Sequence, residues 1–226
     1  TRDLGGNIKA IGERGRVNPV SVIEDIKQQQ ETNRIIAGMG LKVRPFKGLS
    51  VDYTLGIDQY AQRGQTVIPP FAYNVSDGFF GGGATLDATR NGYASSAANN
   101  FFQINHELNA TYQIDITKNI GSTTQVGYSV QYEKNNYALV QGRGLAPFIT
   151  TANAATTALP SADERSEISV SGYYVQQNFK YKNFFFLSGA IRVDGSSVYD
   201  KSQRNQVYAK ASASYIVSEQ DFWKRM

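Results

Sequence analysis

Two carboxylates, Glu107 and Glu133, come nearest to a catalytic pair in this sequence. Paired carboxylates on either side of a sugar bond are the machinery of glycoside hydrolysis. Both fall on the polar side of long alternating segments joined by the turn TKNIG, residues 117–121. Counted outward from that turn, they lie at similar heights. The machinery also needs one carboxyl held neutral by an apolar pocket. The sequence builds no such pocket, so contact with substrate hydroxyls is the expectation, and catalysis is not. Asn105 and Gln131 share the polar parity. A second charged pair, Arg192 and Asp194, stands in IRVDGSSVYDK, residues 191–201. Two residues apart on a strand, they point the same way. They could touch a substrate, or simply pair at the wetted end of a strand, where such pairs contribute ~0–1 kcal/mol. The second reading carries more weight.

Other chemistries lack their residues. The chain has no Cys and one His. Thiol nucleophiles, disulfides and Cys-based zinc sites are therefore excluded. His106, on an apolar parity, has no second His with which to share a metal. Glycines 81–83 are not followed by the Gly-Lys-Ser/Thr that ends a phosphate-binding loop. The formal charge of +4 is small and scattered, unlike the basic stripe that binds nucleic acid. No cofactor and no nucleic acid are expected.

What must position these residues is a set of strands. Polar residues alternate with aromatic and β-branched ones, and 26 residues are Tyr or Phe, which favours strands. One short helix is predicted over 18–32. Asn18 caps it, Pro19 suits its first position, and Ser21 with Glu24 has capping-box spacing. After it, Ile35, Ala37, Met39, Leu41 and Val43 alternate with polar or small residues, and Leu49 to Ile57 repeat the pattern. Phe102, Ile104, His106, Leu108, Ala110, Tyr112, Ile114 and Ile116 face away from Gln103, Asn105, Glu107 and Asn109. Val126, Tyr128, Val130 and Tyr132 face away from Gln131 and Glu133. Residues 166–180 read as a strand of open parity, because both its faces carry aromatics. Phe185, Leu187, Ile191 and Val193 oppose Ser188, Arg192 and Asp194, and a last strand runs from Val207 to Val217. That makes about seven strands. Most exceed the ~5–6 residues usual in globular proteins and suit the ~9–11 that cross a bilayer.

The connections are of two alternating kinds. Residues 44–48, 117–121 and 181–183 are short turns, while 61–99, 138–165 and 195–205 read as long loops rich in Gly, Ala, Ser, Asn and Thr. Outer-membrane barrels have short turns on the periplasmic side and long loops outside. No run approaches the ~20 apolar residues of a membrane-spanning helix. The fold class expected is all-β, an antiparallel transmembrane β-barrel, with residues 1–226 forming part of one barrel domain. An odd count of about seven strands marks a piece of a larger barrel, since bacterial single-chain barrels have even numbers.

The span ISVSGYYVQQNFKYKNFFFLSGAIRVDGSSVYDKSQRNQVYAKASASYIVSEQDFWK, residues 168–224, resembles the barrel of SusC/RagA-type TonB-dependent transporters. In that family a strand ending R-x-D-G-S-S, here Arg192, Asp194, Gly195, Ser196 and Ser197, runs into an extracellular loop. The return strand ends in an aromatic, a turn and an acidic-x-Phe segment, here Tyr215 to Glu219 and then Phe222. The Asn18-Pro19 helix and GLSVDYTLGID, residues 48–58, resemble the family's mid-barrel region. Tyr208-Ala209-Lys210 stands where the family usually has Phe-Pro-Ser, and Tyr215 where it has Trp.

The resemblance implies a barrel of about 22 strands in a Gram-negative outer membrane. It implies uptake of large nutrients, oligosaccharide or peptide, with a SusD-type surface lipoprotein as lid. Energy would come from TonB, through a plug and TonB box outside this sequence. Asn105, Glu107, Gln131, Glu133, Arg192 and Asp194 would face the lumen as substrate-contact candidates, and no enzyme is expected. Two other readings stand beside it. One is a scaffold barrel within a multi-protein outer-membrane assembly. The other is a soluble β-sandwich or carbohydrate-binding module, which predicts shorter strands.

Overall fold

Strand pairing continues well past the point where sequence alternation stops. The computed structural model describes residues 23, 24, 26–70, 92–220 and 223. They form one antiparallel sheet. Its strands are β1 (Lys27–Val43), β2 (Leu49–Ile68), β3 (Gly92–Thr117), β4 (Ile120–Leu145), β5 (Thr157–Ala158), β6 (Ala162–Tyr181), β7 (Phe185–Ser196) and β8 (Asn205–Tyr215). The order is β1-β2-β3-β4-β6-β7-β8, with the two-residue β5 paired to β4. This is the meander expected from the short turns.

Several boundaries differ from expectation. The helix over 18–32 gives way to β1 from Lys27 onward. Ile23 and Glu24 are helical, and residues 18–22 and 25 lie outside the described residues. Lys, Gln and Glu are good helix formers, but pairing with β2 overrides that weak preference. The loop 61–99 is strand at both ends, since β2 runs to Ile68 and β3 starts at Gly92. Glycines 81–83 lie outside the described residues. The loop 138–165 is likewise shortened by β4, which reaches Leu145, and by β6, which starts at Ala162. The loop 195–205 is shortened at its first end, where β7 reaches Ser196, and at its last residue, where β8 begins at Asn205. The cause is common to all three. Backbone pairing needs no apolar alternation, so a strand whose faces do not divide hydrocarbon from water can carry small and polar residues and read as loop.

Register settles the open parity of β6. Gly172, Tyr174, Gln176 and Asn178 oppose Asp194, Arg192, Ala190 and Ser188. Opposed residues share a face in an antiparallel pair. The polar face of β6 to β8 therefore carries the even positions. The other face holds Tyr173, Val175, Phe179 and Tyr181 against Val193, Ile191, Leu187 and Phe185, continued by Val207, Ala209, Ala213 and Tyr215.

No second layer covers this apolar face among the described residues. Their buried hydrophobics are Ile68, Ala94 and Leu145 alone, whereas Met39, Leu41, Ile116, Val175, Ile191 and Val207 are all more than half exposed. A β-sandwich packs such a face against another sheet, so the soluble reading loses its core as well as its short strands.

By chain contact the protein divides into two compact units. One comprises residues 1–34, 60–101 and 135–165, and the other 35–59, 102–134 and 166–226. The second unit holds the short turns, and backbone bonds link each hairpin to the next. Gln113 N–H donates to Gly48 O at 2.8 Å, Lys182 N–H to Asn119 O at 2.6 Å, and Ile216 N–H to Phe184 O at 2.7 Å. Gly48 has φ of 92°, and a Cβ there would run into Gln113 O. Only glycine suits that turn.

Candidate functional site

The site grows from a charged pair on β7. Arg192 Nε donates to both carboxylate oxygens of Asp194, at 2.8 and 2.9 Å. Asp194 opposes Gly172 and Arg192 opposes Tyr174 on β6. A Cβ on Gly172 would collide with the Asp194 carboxylate, so the pair lies flat because Gly172 leaves room.

Tyr174 reaches in the other direction. Its hydroxyl donates to Asn109 Oδ1 on β3 at 3.0 Å, and Asn109 Nδ2 donates to Glu107 Oε1 at 3.1 Å. Since β4 lies between β3 and β6, the tyrosine ring must cross β4. It does so over Gly127, where a Cβ would meet both the ring and Asn109 Oδ1. Glu107, Asn109, Tyr174, Arg192 and Asp194 thus form a polar belt across four strands.

Sequence reasoning named Glu107, Arg192 and Asp194 but missed how Asn109 and Tyr174 join them. Asn109 had the right parity. Tyr174 was hidden by the mixed faces of β6. Asn105 accepts from Gln103 Nε2 at 3.4 Å. Among the described residues, Gln131 and Glu133 make no side-chain hydrogen bond or ion pair, and no bond joins Glu133 to Glu107. The belt carries two carboxylates and one guanidinium, set among amide and hydroxyl groups. It can hold hydroxyl or amide groups of a ligand by exchangeable hydrogen bonds.

The first unit has its own patch. Tyr60 and Phe101 stack with centroids 4.9 Å apart and planes at 17°. The Arg34 guanidinium sits 5.9 Å above the Tyr60 ring, within cation–π range. Asn99 Nδ2 lies 3.4 Å from Tyr60 Oη. The alternation of β2, carried two residues past Asp58, would have found Tyr60. In the second unit a cavity of about 590 Å³ beside the β1–β2 turn is lined by Lys42, Arg44, Lys47 and Asp52. Lys42 Nζ and Asp52 Oδ1 are 2.8 Å apart there.

The apolar face has a few polar groups, and they pair with each other. Tyr53 Oη lies 2.7 Å from His106 Nδ1. Thr124 Oγ1 donates to Gln177 Oε1 at 2.6 Å, and Gln177 Nε2 donates to Ser122 Oγ at 2.8 Å. Among the described residues, no three His, Cys, Asp or Glu gather as a metal would need. No helix among them is long and apolar enough to cross a membrane.

Long antiparallel strands with one exposed apolar face and one hydrogen-bonded polar face define part of a transmembrane β-barrel wall. Comparison finds solved proteins that share this fold. The RagAB peptide transporter superposes on this chain with a TM-score of 0.80 at 12% identity, over 97% of this chain and 24% of that one. The RagAB peptide importer in its closed-closed state gives 0.77 at 14% identity, over 97% and 24%. Its open-open state gives 0.76 at 13%, over 96% and 24%. In sequence, TonB-dependent receptor P26 of Formosa agariphila is 25% identical over 122 residues, or 52% of this chain and 12% of the relative. No family model matches the chain. The chain therefore spans a minor part of the proteins it resembles. Sequence and fold agree on the resemblance to SusC/RagA-type TonB-dependent transporters, and the named relatives are receptors and transporters.

Proposed function

We propose that this chain is part of the outer-membrane barrel wall of an importer of large nutrients. The observation that carries the reading is the division of one long-stranded sheet into two faces, with lipid meeting the exposed apolar side. The polar face then lines the lumen, with Asn105, Glu107, Gln131, Glu133, Arg192 and Asp194 within reach of cargo. Asn109 and Tyr174 join that set. The cargo is an oligosaccharide or a peptide. The solved neighbours, named as a peptide transporter and importer, support the peptide branch. A SusD-type surface lipoprotein serves as lid, and TonB supplies energy through parts of the protein outside this sequence. The loops between β2 and β3 and between β4 and β6 meet cargo or lid.

Reconstitution of the full-length protein tests this. Uptake should need both TonB and the lipoprotein. Uptake that runs without either sinks the reading, and a stable multi-protein assembly without uptake replaces it with a scaffold.

A further inference from the structure

The apolar face has a charged border that the transport reading does not require. Two aromatic clusters lie at its turn end in the second unit. Phe46 meets Tyr112 edge-on with centroids 6.2 Å apart, and Phe184 meets both Tyr181 and Tyr215 edge-on at 5.5 Å. Aromatic rings gather at such a level because the apolar band of a barrel ends there and the headgroups begin. Beyond the rings, each short turn carries an exposed lysine: Lys47, Lys118 or Lys182. No short turn carries an acid. The second and third turns adjoin, since Lys182 N–H donates to Asn119 O. The Lys182 ammonium stands 5.7 Å from the centre of the Tyr181 ring. Tyr181 opposes Phe185 on the apolar face, so this charge sits at the girdle on that side of the sheet.

None of the three lysines has an ion pair or a side-chain hydrogen bond among the described residues. Asp52 and Asp115, the acids nearest in sequence to Lys47 and Lys118, have the polar parity, and Asp52 is held by Lys42. Glu219, past the end of β8, has an interaction of its own. The other end of the same strands is not one-signed, because the loop between β7 and β8 mixes Asp200 with Lys201 and Arg204.

We propose that the three short turns form a binding surface for anionic phospholipid. Lys47, Lys118 and Lys182 hold headgroup phosphates, and the aromatic clusters lie against the first carbons of the chains. This inference rests on the apolar face meeting lipid. An ammonium is a compact charge with three donors, so it takes a phosphate diester from many directions. The lysines border a face that hydrocarbon covers, which makes the space beside them bilayer interface and favours a lipid over a protein partner.

The test reconstitutes the full-length barrel into vesicles that mix phosphatidylcholine with phosphatidylglycerol. Native mass spectrometry then reads which lipids stay bound on gentle release. Phosphatidylglycerol should be enriched over its share of the vesicle, and high salt should remove most of the enrichment. Lys47→Gln, Lys118→Gln and Lys182→Asn should each lower it about fivefold, the factor that corresponds to about 1 kcal/mol per basic residue at an anionic surface. Asparagine is used at 182 because it tolerates the φ of 47° there. Lys201→Gln removes the same charge at the loop end and should leave the enrichment unchanged. The variants are scored singly, so if one does not fold the other two decide. No enrichment in the natural protein, or an equal fall with Lys201→Gln, overturns the proposal. So does an acidic protein that co-purifies with the natural barrel and is lost from the turn variants while lipid retention stays the same. A barrel that enters no vesicle and retains no lipid would instead remove the assignment of faces, and this inference with it.

Discussion

The two faces of β6, β7 and β8 come from the same strand pairings, yet they are organised by different rules. On the apolar face Val175 opposes Ile191 and Val193 opposes Val207; Val175, Ile191 and Val207 are each more than half exposed, with no partner layer above among the described residues. On the polar face Tyr174 and Arg192 are opposed, and each is tied to a further residue. The polar side fixes its groups to one another. The apolar side leaves its groups free, as suits contact with a fluid of hydrocarbon chains. The exceptions fit the same logic. Polar groups on the apolar face, Tyr53 with His106 and Gln177 with Ser122 and Thr124, satisfy one another. A polar group turned towards hydrocarbon has no water to fall back on.

A charge on the wrong face should break this contrast most strongly. Val175 lies about 15 Å above the β6–β7 turn along a tilted strand, near the middle of an apolar band about 25 Å tall. Val175→Arg in the full-length barrel should cost about 2–4 kcal/mol in unfolding from lipid vesicles. Gln176→Arg, one residue on but on the wetted face, should stay within about 0.5 kcal/mol. Equal costs at the two positions would end the assignment of faces.

A smaller effect is expected from the belt itself. Tyr174→Phe keeps the ring over Gly127 and removes one bond to Asn109, so about 1 kcal/mol should be lost by the same assay. A loss several times larger would mean that the belt is a main tie between hairpins.

Smaller still is Gln177→Leu. It gives up two bonds on the lipid side but presents an apolar side chain there, and the two effects oppose. The net change should be about 0.6 kcal/mol or less.

The smallest effect concerns pH. Glu167 on β6, some fourteen residues from the turn, lies about 35 Å above it and so beyond the apolar band. Its carboxylate is 2.6 Å from Lys134 Nζ, and that bond holds its pKa below the ordinary value. A lowered folded pKa adds stability that is full above the unfolded value of 4.5 and fades as pH falls through the folded one. Glu167→Gln should therefore flatten a slight loss of stability on acidification below that value. The shift should be barely above assay scatter, since the pair is exposed.

These faces also explain what could be read in advance. Where a strand separates hydrocarbon from water, both are written into alternate residues, and Phe102 to Ile116 or Phe185 to Asp194 are plain in the sequence. Where that division ends, as at residues 92–99 or 138–145, nothing constrains the alternation and the strands pass for loops. Residues 27–32 show the converse, since good helix formers pair as strand once β2 is beside them. The belt was legible only as separate members. Asn109, Gly127 and Tyr174 lie on three strands, and their meeting depends on register between β4 and β6, which no local pattern encodes.

The bonds between successive turns have a mechanical meaning. Gly48 with Gln113, Asn119 with Lys182, and Phe184 with Ile216 join the hairpins of the second unit end to end. A load applied at any one turn is therefore shared sideways with its neighbours, and is not borne by a single hairpin alone.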